Sequence, residues 1–189
     1  WLVIPNTLES GWIDLYHVPS QQRIIESLGR QADIRSGTER PAIVMALQIC
    51  ILRDILWIVA GYEDGVLQAW TIPVSTMEPT LVWTHKSHTE SIMALSMSPT
   101  CDSVLSLGAD YNIVRTALHQ EAVPHVQRIK RPGHACASVR WDERVCVLGG
   151  WDACARVFTW PSLEPLAKLA YHKDSIYALS FVRHDAVHV

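Results

Sequence analysis

His88-Thr89-Glu90-Ser91-Ile92-Met93-Ala94-Leu95-Ser96-Met97 and His172-Lys173-Asp174-Ser175-Ile176-Tyr177-Ala178-Leu179-Ser180-Phe181 agree at six of ten positions and lie 84 residues apart. That offset is two units of 42, a repeat period in the range of solenoids and propellers. Weaker copies fill in the array. Val44-Met45-Ala46-Leu47 matches Ile92-Met93-Ala94-Leu95 at an offset of 48, and Gly133-His134 with the following residues to Trp141 supplies a copy about halfway between the two strong ones.

Downstream of each copy a second pattern recurs. Gly61-Tyr62-Glu63-Asp64-Gly65-Val66-Leu67-Gln68-Ala69-Trp70 reads as an apolar strand end, an acidic tight turn and a strand closing on an aromatic. Gly108-Ala109-Asp110-Tyr111-Asn112-Ile113-Val114-Arg115 and Gly150-Trp151-Asp152-Ala153-Cys154-Ala155-Arg156-Val157-Phe158 share the layout, and Glu9-Ser10-Gly11-Trp12-Ile13-Asp14-Leu15-Tyr16 is an earlier version. Gly, Asp and Asn suit such turns because they tolerate left-handed backbone.

The segments between these anchors are short and strand-like, with no 3.6-residue periodicity. Four strands per unit are expected: 41–52, 55–61, 66–72 and 80–84; then 91–98, 103–108, 112–118 and 123–130; then 135–141, 144–150, 155–160 and 165–170. The first unit keeps 1–5, 12–18 and 23–28, with 20–31 read as strand plus loop in preference to a helix. The fifth keeps only 175–182. The expected fold is all-β, an incomplete β-propeller of three full four-stranded blades (41–86, 87–130 and 131–171) and two partial ones (1–30 and 172–189). Trp1 at one end and the interrupted unit at the other give the expectation of a piece of a longer ring.

Composition narrows the function classes. Hydrophobic residues make up 49% of the 189, charged residues 19%, and the formal charge is −3, so neither nucleic acid nor a membrane surface is an expected partner. The one basic run, Arg128-Ile129-Lys130-Arg131, reads as a solvated edge. Five cysteines without a C-x-x-C pair read as free thiols. The longest apolar run, 55–61, is too short to span a bilayer. Phosphate-loop, nucleophile-elbow and zinc-protease motifs are missing from the sequence, and His and Cys are scattered without ligand spacing; no catalytic, cofactor-binding or metal residue is assigned.

The His that precedes a blade's first strand and the Asp of its later hairpin can meet in space. A buried His needs such a partner, since an unpaired buried polar group costs about 1–3 kcal/mol. The expected structural set is His88 with Asp110, His134 with Asp152, and His172. Trp151, in a turn, reads equally well as an interface anchor or as packing on an adjacent loop; Tyr62 is a second interface candidate.

These residues resemble WD40 repeats. Gly149-Gly150-Trp151-Asp152, then Arg156-Val157-Phe158, then Pro165-Leu166-Ala167-Lys168-Leu169-Ala170-Tyr171-His172 are similar to the penultimate blade of the ASTRA-associated WD-repeat family of fungi, whose animal relative is the G-protein β-subunit-like WD protein. Ala153-Cys154 departs from the Gly and basic residue of that turn. The resemblance implies a non-enzymatic scaffold subunit of the ASTRA chromatin-regulation and TELO2–TTI co-chaperone assembly for PI3-kinase-like kinases, in the nucleus and also the cytoplasm. Two other classes stand beside it: a peptide- or histone-tail-reading propeller, and a propeller with a small-ligand site at its channel.

Overall fold

Alternating apolar residues set the strands, and tight turns set where each one reverses. In the computed structural model, which describes residues 1–30, 41–119, 123–130 and 133–182, fifteen strands form four antiparallel sheets. The first holds β1 (Leu2–Pro5), β2 (Ile13–His17) and β3 (Gln22–Leu28). The second holds β4 (Val44–Leu52), β5 (Ile55–Tyr62), β6 (Val66–Pro73) and β7 (Thr80–Lys86). The third holds β8 (Ile92–Met97), β9 (Ser103–Gly108), β10 (Asn112–Ala117) and β11 (His125–Arg128). The fourth holds β12 (His134–Val139), β13 (Val145–Gly150), β14 (Ala155–Thr159) and β15 (Pro165–Leu169). Each sheet is a simple meander, and β4, β8 and β12 lie next to one another across sheet boundaries, the arrangement of propeller blades around an axis. The stretch 22–28 is a strand, as expected, not a helix.

Burial explains why the second strand of each blade is the most apolar. From Leu56 to Tyr62 every residue of β5 is buried, and so is all of β9, because neighbouring blades cover both faces. One hydrophobic cluster fills each gap between sheets. Trp57, Val59, Leu67 and Ala69 of the second blade meet Ile92, Leu95, Val104 and Leu118 of the third. Leu105, Leu107 and Ile113 meet Val139, Leu148, Phe158 and Trp160 of the fourth. The outermost β15 is exposed along its whole length.

Two devices hold the seams. Gly61 leaves room for the neighbouring blade: a Cβ there would lie 2.9 Å from Ile92 Cβ and 2.5 Å from its Cγ2. Gly149 gives the same seat to Ile176, whose Cγ2 would lie 2.8 Å from its Cβ. Side chains also bond across the seams. Trp83 Nε1–H donates to the Leu118 carbonyl at 3.1 Å, the Val139 N–H to Ser96 Oγ at 3.1 Å, and the Thr100 N–H to Glu143 Oε1 at 2.8 Å.

One strand expectation fails. The stretch 175–182 carries no strand among the described residues. The Ile176 N–H donates to the Gly150 carbonyl at 3.2 Å, and the Ile176 carbonyl accepts from Cys136 Sγ at 3.3 Å. Those contacts dock the segment on the fourth blade's face, but a strand is defined by a ladder partner, and no described strand runs beside it.

Candidate functional site: the blade hairpins and their polar clips

The hairpin between a blade's second and third strands carries most of the buried polar chemistry. In the third blade, Asp110 follows the buried end of β9. Its carboxylate accepts five hydrogen bonds: from His88 Nδ1–H at 3.0 Å, the Thr89 N–H at 3.0 Å, Thr89 Oγ1–H at 3.4 Å, the Asn112 N–H at 2.9 Å and Asn112 Nδ2–H at 3.1 Å. His88 Nε2 pairs with Ser106 Oγ at 2.9 Å, and Ser106 Oγ lies 3.5 Å from the Val114 carbonyl. His88, Ser106 and Asp110 are all buried. Burial raises the Asp110 pKa, but the His88 bond and the surrounding N–H donors outweigh it and hold the carboxyl down at about 2. The chain thus runs from the loop before β8, through the hairpin, into the centre of the sheet.

The fourth blade differs from expectation. His134 does not meet Asp152. The ladder explains why: His134 pairs with Gly150 and Cys136 with Gly149, just as Ile92 pairs with Gly108 and Ala94 with Leu107. His134 therefore occupies the register position of Ile92, four residues later than that of His88. Residue 130 at the His88 position is lysine. Asp152 is taken by Arg156, whose Nη1–H and Nη2–H donate to its two carboxylate oxygens at 2.9 and 2.5 Å; that guanidinium bond is the main reason the Asp152 pKa falls to about 2. A two-handed Arg–carboxylate clip replaces a His–Asp clip. The only hint in the sequence was Arg156 two residues past Cys154.

His134 is fully buried, and neither ring nitrogen finds a partner. Burial, reinforced by the Arg156 charge, pushes its pKa down to about 4. The unfolded imidazole titrates near 6.5, so between these values the unfolded chain binds the extra proton and the folded chain does not. The stability contribution is whole above pH 6.5 and falls as pH drops toward 4. The expected loss is about 2 kcal/mol by pH 5 and about 3 kcal/mol across the whole window, and His134→Leu removes it; urea titrations of both proteins at pH 7 and pH 5 check the first figure.

His172 is exposed. Tyr62 is 6% exposed; it packs in the cluster between the first two blades and donates from its hydroxyl to Gln68 Oε1 at 2.9 Å. That corrects Tyr62 as an interface candidate: the side chain offers no surface. Trp151 is 42% exposed, while its ring lies on Gly133, where a Cβ would be 2.1 Å from Trp151 Cε3. Gly133 has φ +82°, a backbone that glycine suits. One edge of Trp151 packs on the neighbouring loop and the rest faces solvent.

The same blade position carries a different side chain each time, polar in three blades and aliphatic in one. Immediately after the buried residues Ile13, Leu67, Ile113 and Ala155 come Asp14, Gln68, Val114 and Arg156. Asp14 is fully buried and accepts from Asn6 Nδ2–H at 2.9 Å, the Ser27 N–H at 2.9 Å and Arg23 Nη1–H at 3.2 Å. Among the described residues, no three His, Cys, Asp or Glu side chains gather in a way that suits a metal ion.

No family model matches the chain. Curated relatives do. The chain is 30% identical to ASTRA-associated protein 1 of Verticillium alfalfae over 189 residues, covering 95% of this chain and 44% of that protein. It is 27% identical to ASTRA-associated protein 1 of Aspergillus niger over 210 residues, covering all of this chain and 46% of that one. To the mouse guanine nucleotide-binding protein subunit beta-like protein 1 it is 27% identical over 185 residues, covering 96% and 54% respectively. The chain spans about half the length of the curated relatives it matches.

Proposed function

From a chain that belongs with the ASTRA-associated WD-repeat family, we infer a protein-interaction scaffold without catalytic activity, a subunit of an ASTRA-type assembly. The finer reading is a place in the TELO2–TTI co-chaperone system for PI3-kinase-like kinases, with chromatin regulation as its context and the nucleus, together with the cytoplasm, as its location. The observation that supports it best is where the polar chemistry goes. The carboxylates of Asp14, Asp110 and Asp152 are each held by several donors of their own blade. Such saturated clips fix hairpins in place and leave the work of recognition to the blade surfaces, as in propeller scaffolds.

The test is co-purification of the tagged full-length protein from native extract. Stoichiometric retention of the ASTRA and TELO2–TTI subunits through a high-salt wash is the expected result. A protein that elutes as a monomer with none of them overturns the assignment.

A further inference from the structure

Arg128, Ile129 and Lys130, at and just past the end of β11 in the third blade, face β14 and β15 of the fourth. Between these walls lies a cleft of about 570 Å³. Arg128 and Lys130 line it from one side and Lys168 from the other, with Ile129, Phe158 and Leu166 supplying apolar surface. Arg156 also lines it, already engaged with Asp152. No described lining residue is acidic.

The charges in this cleft are unbalanced. Lys168 stands directly opposite Arg156 in the β14–β15 ladder, and like charges in that relation repel. Asp152 feels both cations, but its two oxygens are taken by Arg156. Arg128, Lys130 and Lys168 are exposed and form no ion pair among the described residues; the Arg128 guanidinium rests 5.5 Å from the Tyr111 ring centroid. Four of the sixteen basic residues of a net-acidic chain thus converge on one cleft. Beside them Leu166 is 56% exposed, and β15 is the edge of its sheet, with one side of its backbone unpaired.

We propose that this inter-blade cleft docks a segment of a partner protein rich in Asp and Glu and carrying a bulky apolar side chain. Its carboxylates bond Arg128, Lys130 and Lys168, its apolar side chain rests on Leu166 and Ile129, and an extended backbone lies along the free edge of β15. A basic histone tail is repelled here. Nucleic acid fits poorly as well, because single strands bind through rings that stack on bases and the one aromatic lining residue, Phe158, is buried. The inference deepens the scaffold reading, on which it rests for the existence of a partner.

The test uses the full-length protein and fluorescein-labelled synthetic peptides of alternating Glu and Leu, read by anisotropy. Binding that weakens as salt is raised and falls at least about tenfold in the Arg128→Glu/Lys168→Glu variant supports the cleft. So does a loss of several-fold when the peptide's leucines become serines. A melting curve that overlays the parent's certifies the variant; if it does not, Lys168→Ala alone carries the test, with a two- to threefold loss expected. No binding, equal binding by the variant, equal binding by the serine peptide, or tighter cleft-dependent binding of single-stranded RNA overturns the proposal. The two readings fail separately: partners retained from extract without peptide binding sinks the cleft alone, whereas cleft-dependent peptide binding by a protein that retains no subunits sinks the ASTRA assignment alone.

Discussion

Asp110→Ala is expected to lower the unfolding free energy by about 3–5 kcal/mol, the cost of removing one partner from a buried charged network. Five donors lose their acceptor at once, and the His88 ring, buried at the blade seam, is left with Ser106 alone. For a chain of this size the loss corresponds to a melting temperature lower by on the order of 10 °C. The pH dependence gives a second signature. The folded carboxyl is held down at about 2, below its unfolded value near 3.9. Its contribution is therefore complete above that unfolded value and disappears as pH falls from about 4 toward 2. Asp110→Asn keeps the volume, removes the charge and flattens this acid limb. Denaturation midpoints measured from pH 7 to pH 2.5 separate the two variants; an Asp110→Ala protein within 1 kcal/mol or so of the parent contradicts the network's weight.

The second large effect belongs to the seam between the second and third blades. Gly61→Ala places a methyl 2.9 Å from Ile92 Cβ and 2.5 Å from Cγ2, and Ile92 is fully buried in the cluster between the second and third blades. Overpacking of this kind costs about 1–3 kcal/mol. Ile92→Ala alone leaves a cavity and costs about 2–5 kcal/mol. Combined, the two substitutions relieve each other in part: Ile92→Ala removes the Cγ2 that the added methyl would meet at 2.5 Å, while the Cβ at 2.9 Å remains and must shift slightly. A double-mutant cycle is expected to show a compensating coupling of roughly 1–3 kcal/mol. Additive losses would mean that the seam relaxes by moving whole blades apart.

The repeat was legible because two copies of the first strand kept Ser, Ile, Ala, Leu and Ser in phase over 84 residues. Those are the residues a seam constrains, with Ile92 and Ile176 each seated on a glycine of the preceding blade. The His88–Asp110 contact was legible for the same reason: both ends of the pair lie at fixed offsets from that strand. His134 misled because its Gly-His dipeptide resembled a blade opening while the ladder set it four positions later, at the place of Ile92. Spacing along a chain does not reveal a register that is set by pairing with the next strand. The Arg156–Asp152 clip was hidden because its two members lie in one hairpin and carry no repeat signal. The 128–168 cleft was hidden because its walls are forty residues apart in sequence and come from two blades.

Asp14, Gln68, Val114 and Arg156 fill one equivalent position with an acid, an amide, an aliphatic and a base, and the three polar side chains each have their own counterpart. Repeat chains run the risk of neighbouring units exchanging strands while they fold. A third strand of one blade that slips into its neighbour here meets a different set of partners: Arg156 would arrive where Asp110 is already bonded by His88, Thr89 and Asn112, and Asp14 would meet the Tyr62 hydroxyl in place of Asn6, the Ser27 N–H and Arg23. Each blade therefore carries its own address, and the divergence that makes the repeats hard to align is what keeps them from being shuffled.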